Sequence, residues 1–498
     1  MSRYDVIVVG FGFAGGMAAI AAHDAGAKVL ILEKREAPGG ISVCSAGGVR
    51  CSENPEAAFA YLTATNGGKT PPDVLRALAD GMREVPRIVA GLADRIGAKA
   101  EIRPAQGNYP FPGYADFAFA NVVEVPDFEP ARDYPQVRGS PAGARLFRVV
   151  EQNVALRGIE VRLETPATRL VVEDGEVRGI ATASEQIMAR GGVVLATGGF
   201  EGASALQQQF WPNAEVLSAA IRTNTGDGLA MAQSAGATLW HMWHYHGSYG
   251  FRHPDPAYPF GIRLKRLPDW VPGAPFREDV AMSWVIVDRT GRRFMNEYEP
   301  YMQDTGHRPF EAFDYTRQGP AHAPAILIVD ARGRERYPLC APTWNDVEVA
   351  ARFGRVTPLE MDRMVLREFA TLGDLAAAFG VEAEALETTL AEWNARCGTA
   401  APDALGRPPE SRMPIATPPF SAAQIRPVVS NTQGGPAHDA RQRVIDPFGK
   451  PIPGLYECGE IGSVFGHIYL SGGNLAESFV GGGIAGREAA ARARGETA

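Results

Sequence analysis

Residues 4–34 read YDVIVVGFGFAGGMAAIAAHDAGAKVLILEK, and this stretch decides the fold. Val6 to Val9 form a short apolar run suited to a strand buried on both faces. Gly10, Gly12 and Gly15 follow as G-x-G-x-x-G. The first glycine permits the tight turn, the second lets a pyrophosphate approach the backbone, and the third allows a helix to pack closely on the strand. Ala14, Gly16, Ala18 and Ala19 keep that helix slim. Its N-terminus offers unpaired N–H groups and a positive dipole end to phosphate. Glu33 ends the second strand, about twenty residues on, where an acid binds ribose hydroxyls. A lone glycine motif is a weak signal. Strand, helix, second strand and terminal acid together predict a dinucleotide site that takes in Lys34 as well.

The residues that follow favour FAD over a nicotinamide. EKREAPGGISVCSAGG (33–48) adds Gly39-Gly40 and then Ser45-Ala46-Gly47-Gly48. A second loop of small residues suits backbone running beside a long, flat cofactor. Gly40, Ser45, Gly47 and Gly48 are therefore cofactor candidates, and Ala167 is another. VVLATGGF (193–200) is a further buried strand, ending at Thr197-Gly198. In TNTGDGLAMAQSAGA (223–237), Asp227 is placed to cap a helix. GLYECGEIG (454–462) is a late strand ending at Glu460, so the nucleotide domain is discontinuous.

Bulk properties bound the rest. The 498 residues accommodate roughly two or three domains. A hydrophobic share of 45% and a charged share of 21% are those of a globular protein. The net charge is -8, with no basic stripe, which disfavours nucleic-acid binding. No uninterrupted apolar run is long enough to span a bilayer. The N-terminus runs straight into a strand, so a secretory signal is not expected and a cytoplasmic location is. Five scattered cysteines, never spaced C-x-x-C, fit a reducing cytoplasm and no structural zinc. His241, His244 and His246 lie close together but not at zinc-site spacing, and read as a polar cluster lining a pocket. No metal is expected.

GFGFAGG (10–16), EK…PGG, ATGGF (196–200), TGDG (225–228), GRRFMNE (291–297), GLYECGE (454–460) and GGN (472–474) occur in one order along the chain. In this the sequence resembles, over nearly its whole length, the flavoprotein family of soluble fumarate reductases, the succinate dehydrogenase flavoprotein subunit and the 3-ketosteroid dehydrogenases. The resemblance implies an α/β fold: a discontinuous Rossmann-like FAD-binding domain at 1–240 and 415–498, and an inserted α+β capping domain at 241–414. Substrate would lie between flavin and cap. Residues 361–397 have apolar residues at helical spacing and read as cap helices. Covalently flavinylated members carry a histidine just after the glycine pair that follows the ribose acid; here, after Gly39-Gly40, the residues are Ile41-Ser42-Val43, so FAD is expected to be non-covalent.

In fumarate reductases an arginine after RF-x-NE delivers a proton, and a second, before the final glycine turn, holds a carboxylate. The matching positions here are Tyr301 and Leu470. The family's HHTMGG-like histidine segment is matched by Ser430-Asn431-Thr432-Gln433-Gly434-Gly435. A dianionic substrate needs fixed cations, so fumarate chemistry is disfavoured unless Arg263, Arg266 or Arg308 compensates. The replacements are instead similar to 3-ketosteroid dehydrogenases, with Asn296-Glu297-Tyr298-Glu299-Pro300-Tyr301 matching NE-x-x-PY and Tyr469 opening the glycine turn. Tyr469-Leu470-Ser471 resembles the Tyr-x-Ser of the members that introduce a 4,5 double bond into 5α-reduced steroids.

The resemblance implies α,β-dehydrogenation of a cyclic ketone, a 3-ketosteroid or a smaller oxo-cyclohexane. The α-hydrogen leaves as a proton and the β-hydrogen as hydride. Tyr469 and the Gly473 N–H would stabilise the developing enolate. Tyr301 would be the base, its phenol needing a pKa below the usual value near 10. Ser471 would relay a proton or fix Tyr469, and Asn474 would order the turn. Tyr109 or Tyr114 could also reach the pocket, and His246 stands near the place of a family substrate-side histidine. Trp240, Trp243, Phe251, Trp270 and Phe276 would add apolar bulk for a small hydrophobic ketone. The electron acceptor, a quinone or another, stays open. The competing reading is a C=C reductase of the fumarate reductase type acting on an unsaturated acid or ketone. An electron-transfer subunit of a larger assembly is disfavoured by the lack of iron–sulfur cysteines or a haem motif.

Overall fold

The computed structural model describes residues 4–213, 215–264, 281–298 and 302–496. Tyr301, Arg266, Trp270 and Phe276 lie outside the described residues. Among the described residues two large sheets organise the chain, each with eight strands.

The first sheet orders its main path Arg443–Ile445, Pro451–Glu457, Gln186–Leu195, Tyr4–Val9, Val29–Leu32 and Glu160–Arg162. Tyr4–Val9 lies at its centre, parallel to both neighbours, with Val9 opposite Leu195 on one side and Leu32 on the other. All six of its residues are buried, which is why the sequence there is unbroken by polar alternation. The helix Phe13–Asp24 packs against the C-terminal helix Gly473–Ala493. Small residues make that approach possible: a Cβ on Gly486 would lie 2.2 Å from the Ala18 carbonyl oxygen, and one on Gly15 would lie 1.9 Å from that of Gly10. The strand Pro451–Glu457 and this last helix return the C-terminus to a sheet begun by the N-terminus.

The second sheet runs Trp284–Val287, Ala325–Val329, Phe420–Thr432, Tyr245–Arg252, Gly261–Leu264 and Cys340–Ala341. Its central strand comes from residues past the expected end of the insertion at 414. The 13 residues of Phe420–Thr432 pair over Ser421–Ile425 with Ala325–Val329 and over Ile425–Thr432 with Tyr245–Phe251. One strand thus links the cap sheet to the cofactor domain. The 361–397 region folds as Pro358–Val365, Leu372–Phe379 and Ala383–Arg396, with a short strand, Arg367–Phe369, between the first two.

The GRRFMNE motif is explained by a buried ion cluster. Glu297 accepts from Arg293 Nη2 at 2.5 Å, from Arg407 Nη1 at 3.3 Å and from the Ile286 N–H at 3.0 Å. Arg293 also donates to Asp403 at 2.8 Å. Burial alone would raise the Glu297 carboxyl, but the two guanidinium groups hold it below the usual carboxylate range. Removing either cation would strand a buried charge.

The expected aromatic lining is not provided by the residues described. Phe251 belongs to the core of the second sheet, Trp240 stacks on His241, and Trp243 stacks on His244 with 40% of its surface exposed. None of the three lines the cavity. Phe251 points into the core from its strand, Trp240 ends the short strand Leu239–Trp240, and Trp243 falls in the turn that follows, the two tryptophans each beside a histidine ring. No helix among the described residues is long and apolar enough to cross a membrane.

Candidate active site

One continuous cavity runs from Glu33 to Tyr469. It is built where strand ends of the first sheet meet two helix N-termini. Gly10 turns the chain at φ +100. The helix Phe13–Asp24 then starts at Gly12 with no side-chain cap, and the Phe13 N–H donates to Ser42 Oγ at 3.1 Å. The longer helix Gly473–Ala493 starts at Gly472, also without a side-chain cap. Both starts line the cavity, so the positive dipole ends of two helices face the space.

Every residue assigned to the cofactor lines this cavity except Gly15. Gly15 lies behind the turn, where it lets the helix meet the Gly10 carbonyl. Glu33 is held as an acceptor by the Phe11 N–H at 2.9 Å and the Arg35 N–H at 3.0 Å. Lys34 Nζ donates to Asp227 at 2.6 Å. Asp227 does not cap its helix: the cap position is Gly226 in the left-handed region, and Asp227 is the first helical residue. The glycine reverses the chain there, which turns the carboxylate toward Lys34.

Two carboxyls flank Gly199: Glu460, a cofactor candidate from the sequence, and Glu201, which the sequence did not single out. Glu460 accepts from the Thr432 N–H at 2.9 Å, and Glu201 accepts from Asn224 at 2.8 Å. Burial pushes Glu460 up to about 7, and burial with the neighbouring Glu460 charge pushes Glu201 well above its ordinary value. The pair therefore favours holding a proton. Thr197 Oγ1, buried on the same wall, has no partner among the described residues. An unpartnered hydroxyl, two uncapped helix starts and a flat loop of small residues fit a bound dinucleotide with a planar ring.

A model of the FAD binding domain family matches residues 5–475. The chain belongs to the FAD binding domain family. Among curated relatives it is 28% identical to an NADH:fumarate oxidoreductase of Klebsiella pneumoniae, over 99% of this chain and 48% of that protein. This chain thus spans about half the length of that relative. It is also 28% identical to a 4-oxocyclohexanecarboxylate 2-dehydrogenase of Sinomonas cyclohexanicum, over 99% of this chain and 94% of that one. A crystal structure of a 3-ketosteroid delta1-dehydrogenase from Sterolibacterium denitrificans superposes with a TM-score of 0.78 at 24% identity, covering 98% of this chain and 99% of that one. At that identity the likeness is one of fold. The protein is a flavoprotein with an FAD-binding fold.

At the far end of the flavoprotein's cavity, the turn Tyr469-Leu470-Ser471-Gly472 is clamped from several sides. The Tyr469 N–H donates to Asp304 Oδ2 at 3.0 Å, and the Ser471 N–H to Asn108 Oδ1 at 2.6 Å. Arg50 Nε donates to the Ser471 carbonyl at 2.7 Å. The Tyr469 ring packs on His246 at 4.1 Å and on Phe465 at 5.1 Å. Its hydroxyl accepts from the Asn474 N–H at 3.3 Å. Tyr469, Ser471 and Asn474 line the cavity. Gly473 does not: its N–H donates to the Leu470 carbonyl at 2.7 Å, closing the turn on itself. Asn474 also donates to Glu477 at 2.8 Å and bonds Asn431.

Asp304 carries no motif of its own, yet it is fully buried beneath this turn. His246 Nδ1 lies 3.4 Å from Asp304 Oδ1, and the Tyr109 hydroxyl lies 3.4 Å from Oδ2. Burial would raise the Asp304 carboxyl, but the His246 bond and the nearby His244 and Arg308 charges hold it below its ordinary value. Burial lowers His246, leaving the imidazole neutral at neutral pH. His246 lines the cavity, whereas His241, His244, Tyr109 and Tyr114 do not. His241 and His244 bond the carbonyls of Ser463 and Phe465 instead. Among the described residues no group of three or more side chains could hold a metal ion.

The non-covalent attachment of FAD is a prediction of the Ile41-Ser42-Val43 stretch, where no histidine faces the cofactor loop. Acid precipitation of the holoenzyme is expected to release all the flavin into the supernatant. A washed pellet that stays yellow would contradict it.

Proposed function

We propose that this flavoprotein desaturates a cyclic ketone next to its carbonyl, removing an α-proton and a β-hydride. The observation that carries the reading is the cavity-lining phenol of Tyr469, braced by Asn474, at a turn where a carboxylate-binding arginine is replaced by the buried Leu470. In its bond to the Asn474 N–H the phenol oxygen is the acceptor; in this reading the phenol donates to the ketone oxygen. A neutral donor placed where enolate charge develops lowers the barrier to α-proton loss. Tyr301 is assigned the α-proton by its place in the NE-x-x-PY motif. Ser471 holds the backbone of the turn through Asn108 and Arg50 and faces the same space. FAD, bound along the glycine turns, supplies the two-electron acceptor for the β-hydride.

The test is turnover with an artificial electron acceptor. Ring ketones, including 5α-reduced 3-ketosteroids and 4-oxocyclohexanecarboxylate, are compared with succinate, and the product is examined for a new conjugated enone. Enone formation from at least one ring ketone, with none of the succinate oxidised, is expected. Succinate oxidation with every ring ketone inert would overturn the reading.

A further inference from the structure

We propose that Glu477 is a positioning residue that works as a neutral carboxylic acid: it donates a hydrogen bond to Ser463 and so fixes Asn474, and with it the start of the helix Gly473–Ala493, at the wall of the cofactor cavity. Glu477 is buried one helical turn behind Asn474. Its carboxyl meets the Val464 N–H at 2.6 Å, Asn474 Nδ2 at 2.8 Å and the Ser463 hydroxyl at 3.0 Å. None of these partners is a cation. Ser463 Oγ lies 2.6 Å from Gln433 Oε1 and 3.0 Å from both Glu477 oxygens. A hydroxyl brings one proton. The shorter contact takes it, because two oxygens that close need a hydrogen between them. The contact with Glu477 is then bridged by a proton from the carboxyl. Reversing the Gln433 amide would set its oxygen 3.3 Å from Asn474 Oδ1, one acceptor against another. Reversing Asn474 as well would put its oxygen 2.8 Å from Glu477 Oε2, a contact that only a protonated carboxyl can make.

The surroundings act in the same direction. Glu457 and Glu460 face Glu477 from the end of the strand Pro451–Glu457 and the turn after it. His438 shares a small second cavity with Glu477, and burial pushes its imidazole down to about 4. His241, which bonds the Ser463 carbonyl, is also lowered by burial. The helix Pro72–Asp94 adds Val74, Ala77 and Leu78 to that cavity. Burial pushes Glu477 itself up to about 8, against the pull of the Val464 N–H, Ser463 and Asn474. Once ionised, the carboxylate can only accept, and it claims the Ser463 proton. Gln433 Oε1 then loses its 2.6 Å donor. Gln433 Nε2 holds Asn474 Oδ1 at 3.3 Å, and the Asn474 N–H meets Tyr469, so the disturbance reaches the cavity wall.

The experiment compares wild-type holoenzyme with Glu477→Gln and needs no substrate, so its outcome is separate from that of the ring-ketone reading. Infrared spectra of the two are subtracted in light and heavy water. The expected difference is the carbonyl band of a protonated carboxylic acid, shifted by deuterium and lost as the pH rises through about 8. FAD release on dilution is then read by flavin fluorescence at about pH 7 and about pH 9. Wild-type affinity should fall about 10-fold more than that of Glu477→Gln, the proton competition expected one unit above a value of about 8. Glu201, Glu457 and Glu460 are present in both proteins, so the difference isolates Glu477. Glutamine is neutral at every pH, so the variant should keep its flavin at both. No acid band in the difference would overturn the proposal. So would the same pH dependence of FAD affinity in both proteins, or a Glu477→Gln variant that unfolds or loses its flavin at about pH 7.

Discussion

Replacing Tyr469 by phenylalanine lowers kcat about 100- to 1000-fold while the enzyme keeps its full flavin complement. The substitution preserves the ring that packs on His246 and Phe465. It removes the oxygen that meets the Asn474 N–H at 3.3 Å. Loss of one such neutral bond costs about 1 kcal/mol, too little to unfold the start of a long helix. That start is secured independently, by the Gly473 N–H on Leu470 and by the Asn474 side chain on Glu477. The cofactor wall therefore survives and the change falls on the chemical step. Single-turnover flavin reduction by a ring ketone is the measurement, with flavin content as control. A Phe variant that reduces its flavin at the wild-type rate would leave Tyr469 as a packing residue.

Tyr301→Phe is expected to lower kcat by about 100- to 10,000-fold, the range for loss of a positioned general base. The assignment rests on the motif Asn296 to Tyr301, and the chain is anchored on both sides of it. Before it, Glu297 is fixed in the Arg293–Arg407 cluster; after it, Asp304 receives the Tyr469 N–H. Flavin content and thermal stability should match the wild type. If Tyr301→Phe turns over normally, the base lies elsewhere, and His246, whose Nδ1 faces Asp304, becomes the candidate. A loss of turnover in His246→Asn would then accompany the intact activity of Tyr301→Phe.

The cofactor half of the cavity was legible in the sequence because a dinucleotide imposes local demands. Gly10, Gly12 and Glu33 must follow a strand at set intervals, and those intervals are visible in a single stretch. The substrate half was legible only in part. Tyr469 and Ser471 stand in a glycine turn that can be found by its neighbours. Asp304 meets that turn, His246 and Tyr109 from 165, 58 and 195 residues away, and no local pattern announces such a convergence. The same holds for Glu297 and Arg407, 110 residues apart. The Gly473 assignment rests on the resemblance to the family's glycine turn, whereas the N–H direction depends on how the turn closes, here onto Leu470. The strand Phe420–Thr432 escaped a linear division into domains because it serves the cap sheet while delivering Ser430 and Asn431 to the cavity.

The most direct test mixes oxidised holoenzyme, without oxygen or any added acceptor, with 4-oxocyclohexanecarboxylate, a 5α-reduced 3-ketosteroid or succinate, and follows loss of the flavin's yellow absorbance. The account predicts bleaching by a ring ketone and an unchanged spectrum with succinate. Bleaching by succinate alone would contradict it.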